Sequence, residues 1–239
     1  MPGARVWVDL FPGARAPGPP PTGPADTREW TGVMIDVLRA STTLAVALDH
    51  GAARVVALPR PADALALRER EPGALACGER GGRIVPGFDL GNSPLEYTAE
   101  RVGGRTLAFA STNGSRALLA LAGCGEVRPG AFVQASAMVE ALSFEPRVWM
   151  LCAGQPGGFA LEDAACAGWL CARLAERGAT LEGPAAALVR ALAPADAAGV
   201  RAVVQGAPHA RELRELGAAV ARDVEFCATL DLLPRARAL

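Results

Sequence analysis

The stretch that most constrains the fold of this chain is Gly32 to Leu48, GVMIDVLRASTTLAVAL. An apolar run ends in the carboxylate of Asp36, a short turn carries Arg39, and a helix is predicted to begin at Ser41. A buried strand that leads directly into a helix is typical of an α/β protein. It also brings an acid, a cation and free backbone N–H groups together, which favours a site for an anion, a divalent metal ion or both.

Two further strands lead into polar turns in the same way. Arg105 to Ala110 is predicted to be a strand that leads into the turn Ser111 to Ser115. Arg147 to Cys152 is predicted to be a strand that leads into a Gly-rich turn, followed by a helix that begins with Glu162 and Asp163. Ligands of doubly wound folds bind beyond the carboxyl ends of the strands. The three turns are therefore expected to converge.

The segment from Gly78 to Pro94, GERGGRIVPGFDLGNSP, is predicted to be a loop because it holds five Gly and two Pro. A long ordered loop inside a compact domain is usually functional. Its polar and charged residues are Glu79, Arg80, Arg83, Asp89, Asn92 and Ser93.

The pattern as a whole predicts one α/β domain over residues 1–239, with a mixed or mostly parallel sheet, flanking helices and a helical C-terminal part. An internal boundary, if there is one, is expected near residues 178–184. A proline-rich surface loop is predicted from Pro12 to Pro24, and a short strand from Ala131 to Gln134.

Composition limits the chemistry. All 24 basic residues are Arg, so a Schiff base, a lysine general base and a Walker lysine are excluded. The 25 acidic residues balance them, which argues against nucleic acid or an anionic membrane and favours a small-molecule partner. The two histidines, His50 and His209, are interpreted as surface or capping residues, and two cannot form a multi-histidine site. A metal would therefore be held mainly by oxygen, as Mg²⁺ or Mn²⁺ are.

The chain matches three known catalytic or nucleotide-binding patterns only in part. Haloacid-dehalogenase phosphatases need Asp-x-Asp, but Leu38 stands at the second position. Cys77 to Arg83 matches the Cys-x5-Arg loop of cysteine phosphatases, but no helix is predicted to follow it and lower the thiol pKa. Gly154 to Gly158 is too short for a dinucleotide fingerprint. A non-catalytic anion-binding protein stays as an alternative, although carboxylates beside an anion argue against it.

Five blocks of sequence together resemble the 2-phosphosulfolactate phosphatases of the ComB family. The resemblance runs from about Thr31 to Leu233. The blocks are DVLRASTT at 36–43, GERGG at 78–82, GFDLGNSP at 87–94, TNGSR at 112–116, and LED at 161–163 with Ala167 and Gly168.

The resemblance implies a Mg²⁺-dependent phosphatase that converts 2-phosphosulfolactate to 3-sulfolactate and phosphate, a step towards coenzyme M. We expect Asp36 to be the metal ligand or nucleophile, and Arg39 with the amides at Ser41 and Thr42 to cradle the phosphate. The metal ligands are expected to be Asp36, Glu162 and Asp163. The remaining substrate-binding residues are expected to be Glu79, Arg80, Asn92, Ser93, Asn113, Gly114, Ser115 and Arg116.

A substrate with a phosphate, a sulfonate and a carboxylate should be met by arginines, and Arg39, Arg80, Arg83 and Arg116 lie in or beside the predicted loops. Transfer to Asp36, transfer to Ser41 and direct attack by water all remain open, as does hydrolysis of another phosphorylated hydroxy acid. The chain shows no secretion signal and no run of about 20 apolar residues, so a cytoplasmic location is expected. A twofold homodimer is the simplest assembly.

Overall fold

A computed structural model describes residues 3–13, 27–156 and 158–239. Most of the predicted Pro12 to Pro24 loop lies outside these residues. The strands are β1 (Arg5–Asp9), β2 (Thr31–Ile35), β3 (Arg54–Ala57), β4 (Leu75–Arg80), β5 (Arg83–Ile84), β6 (Thr106–Ala110), β7 (Glu126–Gly130), β8 (Arg147–Cys152) and β9 (Thr180–Glu182). The helices are α1 (Ala40–Asp49), α2 (Pro61–Arg70), α3 (Ala99–Val102), α4 (Gly114–Ala120), α5 (Ala135–Leu142), α6 (Leu161–Glu176), α7 (Gly183–Ala191), α8 (Ala197–Gly206), α9 (Pro208–Glu215) and α10 (Ala218–Cys227).

The strands form two sheets rather than the single sheet expected. The five-stranded sheet has the order β7-β2-β8-β1-β9 and is parallel throughout. The four-stranded sheet has the order β3-β6-β4-β5, and only the β4–β5 pair is antiparallel. The prediction of an α/β fold with a mixed or mostly parallel sheet is confirmed.

Alternating side chains stack the two sheets into layers. In β2, Val33 and Ile35 pack against α5, α6 and the C-terminal helices, whereas Met34 faces α1 and α4. In β6, Phe109 faces α1 and α4 from the other side, and Ala108 packs towards α2. The helices α1 and α4 thus lie between the sheets. Strands that are covered on both faces consist of continuous apolar residues. This pattern is why β2, β6 and β8 were recognisable in the sequence.

Several predicted elements are confirmed and others are wrong. The strand at Arg147–Cys152 has the predicted bounds. The predicted strand Ala131 to Gln134 is wrong, because Phe132–Gln134 forms a 3-10 helix. The C-terminal part is not purely helical, since β9 adds to the edge of the five-stranded sheet beside β1. The predicted loop at Gly78 contains the end of β4 and the turn into β5.

Candidate active site

A cavity of about 460 Å³ lies where the carboxyl ends of β2, β4, β6 and β8 meet, with α9 on its far side. The sequence correctly expected these turns to converge. The lining residues that it proposed for the site are Asp36, Arg39, Glu79, Asn92 and Asn113. The others are Leu38, Gly81, Gly82, Thr112, Gln155, Pro156, His209, Glu212, Leu213 and Leu216.

Asp36 is a buried acid with little hydrogen bonding. It follows β2 directly, and its side chain accepts one long bond from the Ala40 N–H, at 3.3 Å to Oδ1. Gly114 packs against it, since a Cβ there would lie 2.9 Å from Oδ2 and 2.5 Å from the Ala40 Cβ. Only glycine therefore allows the α4 turn to close over this carboxylate.

The pKa of Asp36 is raised to about 6, chiefly by burial. His209 acts in the opposite direction, Glu79 adds to the rise, the Ala40 N–H opposes it, and Glu162 adds a smaller rise. A carboxyl group that titrates near neutral pH in a cavity is typical of a functional site.

Glu79, in contrast, is fully engaged with the backbone. Its Oε1 accepts the Thr112 N–H at 2.7 Å, and its Oε2 accepts the Gly82 N–H at 2.8 Å. It thereby ties the turn after β6 to the turn after β4. Glu79 lines the cavity, but its hydrogen bonds are those of a residue that shapes the two loops.

Arg39 is buried in the cavity wall and held on two sides. Nη1 lies 2.6 Å from Asp223 Oδ2 in α10, and Nη2 donates to the Gly82 carbonyl at 2.7 Å. A guanidinium has five N–H donors, so these contacts leave donors for a ligand. In the part of the chain that the structure describes, Arg39 is the single arginine that lines the cavity.

Glu162 and Asp163 are both buried at the start of α6, and neither is among the lining residues. Asp163 accepts the Val37 N–H at 2.8 Å and the Gly154 N–H at 3.1 Å. Burial raises its pKa, with Glu162 and Asp36 adding to the effect and the two N–H donors opposing it. Glu162 differs because its Oε2 is buried and has no hydrogen-bond partner among the described residues, and burial raises its pKa as well.

Three hydroxyl groups proposed for the site serve the backbone instead. Ser41 Oγ donates to the Gly130 carbonyl at 2.6 Å, and Thr42 Oγ1 donates to the Val37 carbonyl at 2.9 Å. Ser115 Oγ accepts the Ser111 N–H. The Ser41 amide donates to the Asp36 carbonyl, so it is not free to cradle a phosphate as expected. The structure does not bring these groups to the cavity.

The expected arginine cluster is also absent from the cavity lining. Arg80 donates to the carbonyls of Glu79, Ala110 and Pro59, all of them structural contacts. Arg83 and Arg116 are exposed and lie outside the lining set. The remaining predicted residues do not line the cavity either: Ser93 donates to Asp223, Gly114 packs on Asp36, and Asp89 accepts the Ala76 N–H.

His209 is the principal residue that the sequence did not place. It was interpreted as a surface or capping residue, yet it lines the cavity with Glu212 and the leucines of α9. Its Nδ1 lies 3.2 Å from Glu212 Oε2. Helix α9 approaches closely because Gly82 has no side chain: a Cβ there would lie 2.4 Å from Leu216 Cδ1. No local signal marks this contact, since α9 lies far along the chain from Asp36.

The cysteine-phosphatase pattern is not a site. Cys77 is fully buried in the core between the sheets, and burial raises the pKa of its thiol to about 12. The segment that follows it continues β4 and turns into β5 instead of entering a helix. A protonated, inaccessible thiol is not a nucleophile.

Among the described residues, none of the helices combines the length and the apolar character needed to cross a membrane.

Comparison with known proteins identifies the family of the chain. The sequence model of the family described as 2-phosphosulpholactate phosphatase matches residues 20–236. A "Probable 2-phosphosulfolactate phosphatase" of Thermotoga petrophila is 37% identical over 212 residues, covering 89% of each chain. Proteins with the same name from Synechocystis sp. and Carboxydothermus hydrogenoformans are each 38% identical, covering 84% of this chain and 85% and 82% of theirs. The chain belongs to the 2-phosphosulfolactate phosphatase family.

Proposed function

We propose that this protein hydrolyses 2-phosphosulfolactate to 3-sulfolactate and phosphate in the cavity beneath α9, with Mg²⁺ as cofactor. The observation that carries the proposal is Asp36, a buried carboxyl group with a pKa of about 6 that lines the same cavity as Arg39, a cavity large enough for a small ester. Family membership supplies the reaction class, because the relatives carry this activity in their names.

The residues present suit an oxygen-bound Mg²⁺. Within residues 3–13, 27–156 and 158–239, no three His, Cys, Asp or Glu side chains are arranged to hold a metal. Mg²⁺ does not need such a cage, because it is usually bound by one or two carboxylates, water and substrate phosphate. The buried, unpartnered oxygens of Glu162 and Asn92 support this arrangement. Asp36 and Glu162 would hold the ion, and it would supply charge neutralisation at the phosphoryl group.

The other residues of the cavity would bind the substrate or transfer a proton. The free N–H donors of Arg39 would bind a phosphoryl oxygen, and the amides of Asn92 and Asn113 would orient the rest of the substrate. His209 would hold a proton for the ester oxygen that leaves. Breaking the P–O bond gives an alcohol once that proton is transferred, and water supplies the new oxygen on phosphorus.

Two routes for that water remain alternatives within the proposal. In one, the phosphoryl group passes through Asp36; in the other, water attacks phosphorus directly. Ser41 is less suited to be an acceptor because its hydroxyl is buried and donates to Gly130. Rapid acid quench with labelled substrate separates the routes: a phosphoryl adduct on Asp36 supports the first, and an enzyme without label supports the second.

A second substrate class is favoured by one observation. The arginines expected for the sulfonate do not line the cavity. A phosphorylated hydroxy acid without a sulfonate would need only Arg39 and the amides. The two classes share the same chemistry at phosphorus.

The deciding experiment measures phosphate release from 2-phosphosulfolactate, phospholactate and phosphoglycolate, each with Mg²⁺ and with EDTA. Metal-dependent turnover that prefers the sulfonate supports the full proposal. Equal turnover of phospholactate moves the substrate to the second class. No release from any of the three contradicts the proposed activity and favours the anion-binding alternative.

We extend the proposal to the setting that the sequence suggested: a cytoplasmic homodimer acting in a coenzyme M type of route. The family resemblance supports the route, and closed twofold symmetry is the commonest arrangement of oligomers. Light scattering coupled to size-exclusion chromatography tests the dimer, and a monomeric mass contradicts it.

A further inference from the structure

Helix α10 contributes a buried carboxylate that contacts two of the five sequence blocks at once. Asp223 Oδ2 lies 2.6 Å from Arg39 Nη1, and Asp223 Oδ1 accepts the Ser93 hydroxyl at 2.5 Å. Asp223 is 1% exposed and Arg39 is 4% exposed, so the ion pair is shielded from water. Its two partners lie 184 and 130 positions away along the chain.

The same guanidinium is held from a second direction. Arg39 Nη2 donates to the Gly82 carbonyl, and the Gly82 N–H is in turn held by Glu79. The guanidinium plane is therefore defined by two acceptors, one on helix α10 and one in the turn between β4 and β5. A planar, forked cation that is fixed in this way loses little freedom when it binds an oxyanion.

Resting on the proposed function, we propose that Asp223 is a positioning residue that orients the Arg39 guanidinium in the cavity wall for a phosphoryl oxygen. The C-terminal helix α10 thereby completes the active site without touching the substrate. Ser93, which the sequence suggested as a substrate ligand, serves instead to hold Asp223.

A purely structural ion pair would use the same contacts, so the test must separate anchoring of α10 from orientation of Arg39. The two roles differ in where the loss is measured. Anchoring affects the unfolding midpoint alone. Orientation affects the affinity for phosphate and the KM of the substrate, and it does so only while Arg39 is present.

The experiment measures binding of inorganic phosphate by calorimetry at constant Mg²⁺, together with kcat, KM and the unfolding midpoint. The variants are Asp223→Asn, Arg39→Ala and the double variant. The control is Glu225→Gln, an exposed carboxylate on the same helix. We expect Asp223→Asn to weaken phosphate binding and raise KM by about tenfold, the scale of one charged hydrogen bond. In the Arg39→Ala background, Asp223→Asn should change neither phosphate binding nor KM.

Unchanged phosphate affinity and KM in Asp223→Asn, with a lower unfolding midpoint, would show a structural pair only and overturn the inference. Equal losses from Asp223→Asn with and without Arg39 would also overturn it. Arg39→Lys covers the case in which Asp223→Asn does not fold, because it keeps the buried charge pair but lacks the fork. Wild-type phosphate affinity in Arg39→Lys would contradict an orientation role.

The phosphate readout separates this inference from the proposed activity. A wild-type protein that releases no phosphate from any ester, but binds phosphate less well in Asp223→Asn, contradicts the activity and supports the positioning role. If the wild type is active and Asp223→Asn changes neither turnover nor KM, the activity is supported and the positioning role is contradicted. A wild-type protein that does not bind phosphate overturns the inference.

Discussion

The carboxyl edges of the two sheets each contribute a buried acid to the same cavity, and the two acids are in opposite states. Glu79, from the four-stranded sheet, has both oxygens bonded to backbone N–H groups. Asp36, from the five-stranded sheet, has one long contact and a pKa raised to about 6. Burial at a strand end therefore does not distinguish a reactive carboxylate from one that organises loops. The hydrogen bonds that each carboxylate accepts do distinguish them.

The same contrast recurs between neighbours at the start of α6. Asp163 accepts two backbone N–H groups, whereas Glu162 keeps a buried oxygen without a partner. We therefore propose that Asp36 and Glu162 carry the chemistry and that Glu79 and Asp163 organise the loops. The Asp36 and Glu79 variants test this division.

The largest expected effect is that of Asp36→Asn on turnover. The amide cannot replace the carboxylate as metal ligand or nucleophile, so kcat should fall by about 10⁴-fold or more. Steady-state phosphate release measures this, and Asp63→Asn on α2, a half-buried carboxylate outside the cavity lining, is the control. Near-normal turnover of Asp36→Asn would remove Asp36 from every version of the mechanism.

Glu79→Gln should have a mixed effect of intermediate size. Replacing the charged acceptor weakens its bonds to Gly82 and Thr112, so we expect a loss of stability of about 1–3 kcal/mol and a fall in kcat/KM of about 10- to 100-fold.

Denaturant unfolding and steady-state kinetics measure the two effects of Glu79→Gln. Asp89→Asn is the control, since Asp89 also accepts a backbone N–H but lies outside the cavity lining. A loss of turnover as large as that of Asp36→Asn, without loss of stability, would erase the contrast between the two acids.

His209→Asn should distinguish substrates by their leaving group. A proton donor matters for an alkyl ester and little for p-nitrophenyl phosphate, so kcat should fall by about 10²-fold for the first and by less than about threefold for the second.

His50→Asn is the matched control for His209→Asn, because the only other histidine bonds to the Tyr97 carbonyl and does not line the cavity. Equal losses for both esters would show that His209 acts through binding or packing, not by proton transfer.

The stability of wild type relative to Asp36→Asn should depend on pH in a defined direction. Because the folded pKa of Asp36 is raised to about 6, its contribution to stability is present below the unfolded pKa and is lost as pH rises through about 6. Wild type should therefore lose stability relative to Asp36→Asn between pH 4 and pH 8, by on the order of 2–3 kcal/mol. Urea unfolding at pH 4 and pH 8 measures the difference in unfolding free energy between wild type and Asp36→Asn. The same difference at both pH values would contradict the raised pKa of Asp36.

The smallest expected effect is that of Cys77→Ser. Burial keeps this thiol protonated, so turnover should change by less than about threefold. The same phosphate-release assay checks this. A loss comparable to that of Asp36→Asn would restore the cysteine-phosphatase interpretation.

The sequence was informative where the signal is local. Apolar runs that end in polar turns located β2, β6 and β8, and the turns after them meet at one cavity, as expected. Apolar periodicity placed Asp36 and Asn113 at the carboxyl ends of β2 and β6, but it did not show that the two strands belong to different sheets.

The sequence was uninformative about the direction in which a polar side chain points. Arg80 and Ser41 occur in the expected blocks, but their side chains are bonded to backbone carbonyls. A buried turn has carbonyl and N–H groups that must be paired, and the nearest polar side chain pairs with them before any ligand does. The composition of a loop does not reveal which of these uses applies.

By itself, then, the sequence determined the α/β class, the strand end that carries Asp36, and the absence of lysine from every possible site. Only the tertiary structure decided that the strands divide into two sheets, that α9 brings His209 to the cavity, and that α10 brings Asp223 to Arg39. The physical reason is the separation along the chain over which each signal acts. Periodicity and turn chemistry act over a few residues, whereas the contact between Arg39 and Asp223 joins positions 184 apart and exists only after the core has packed.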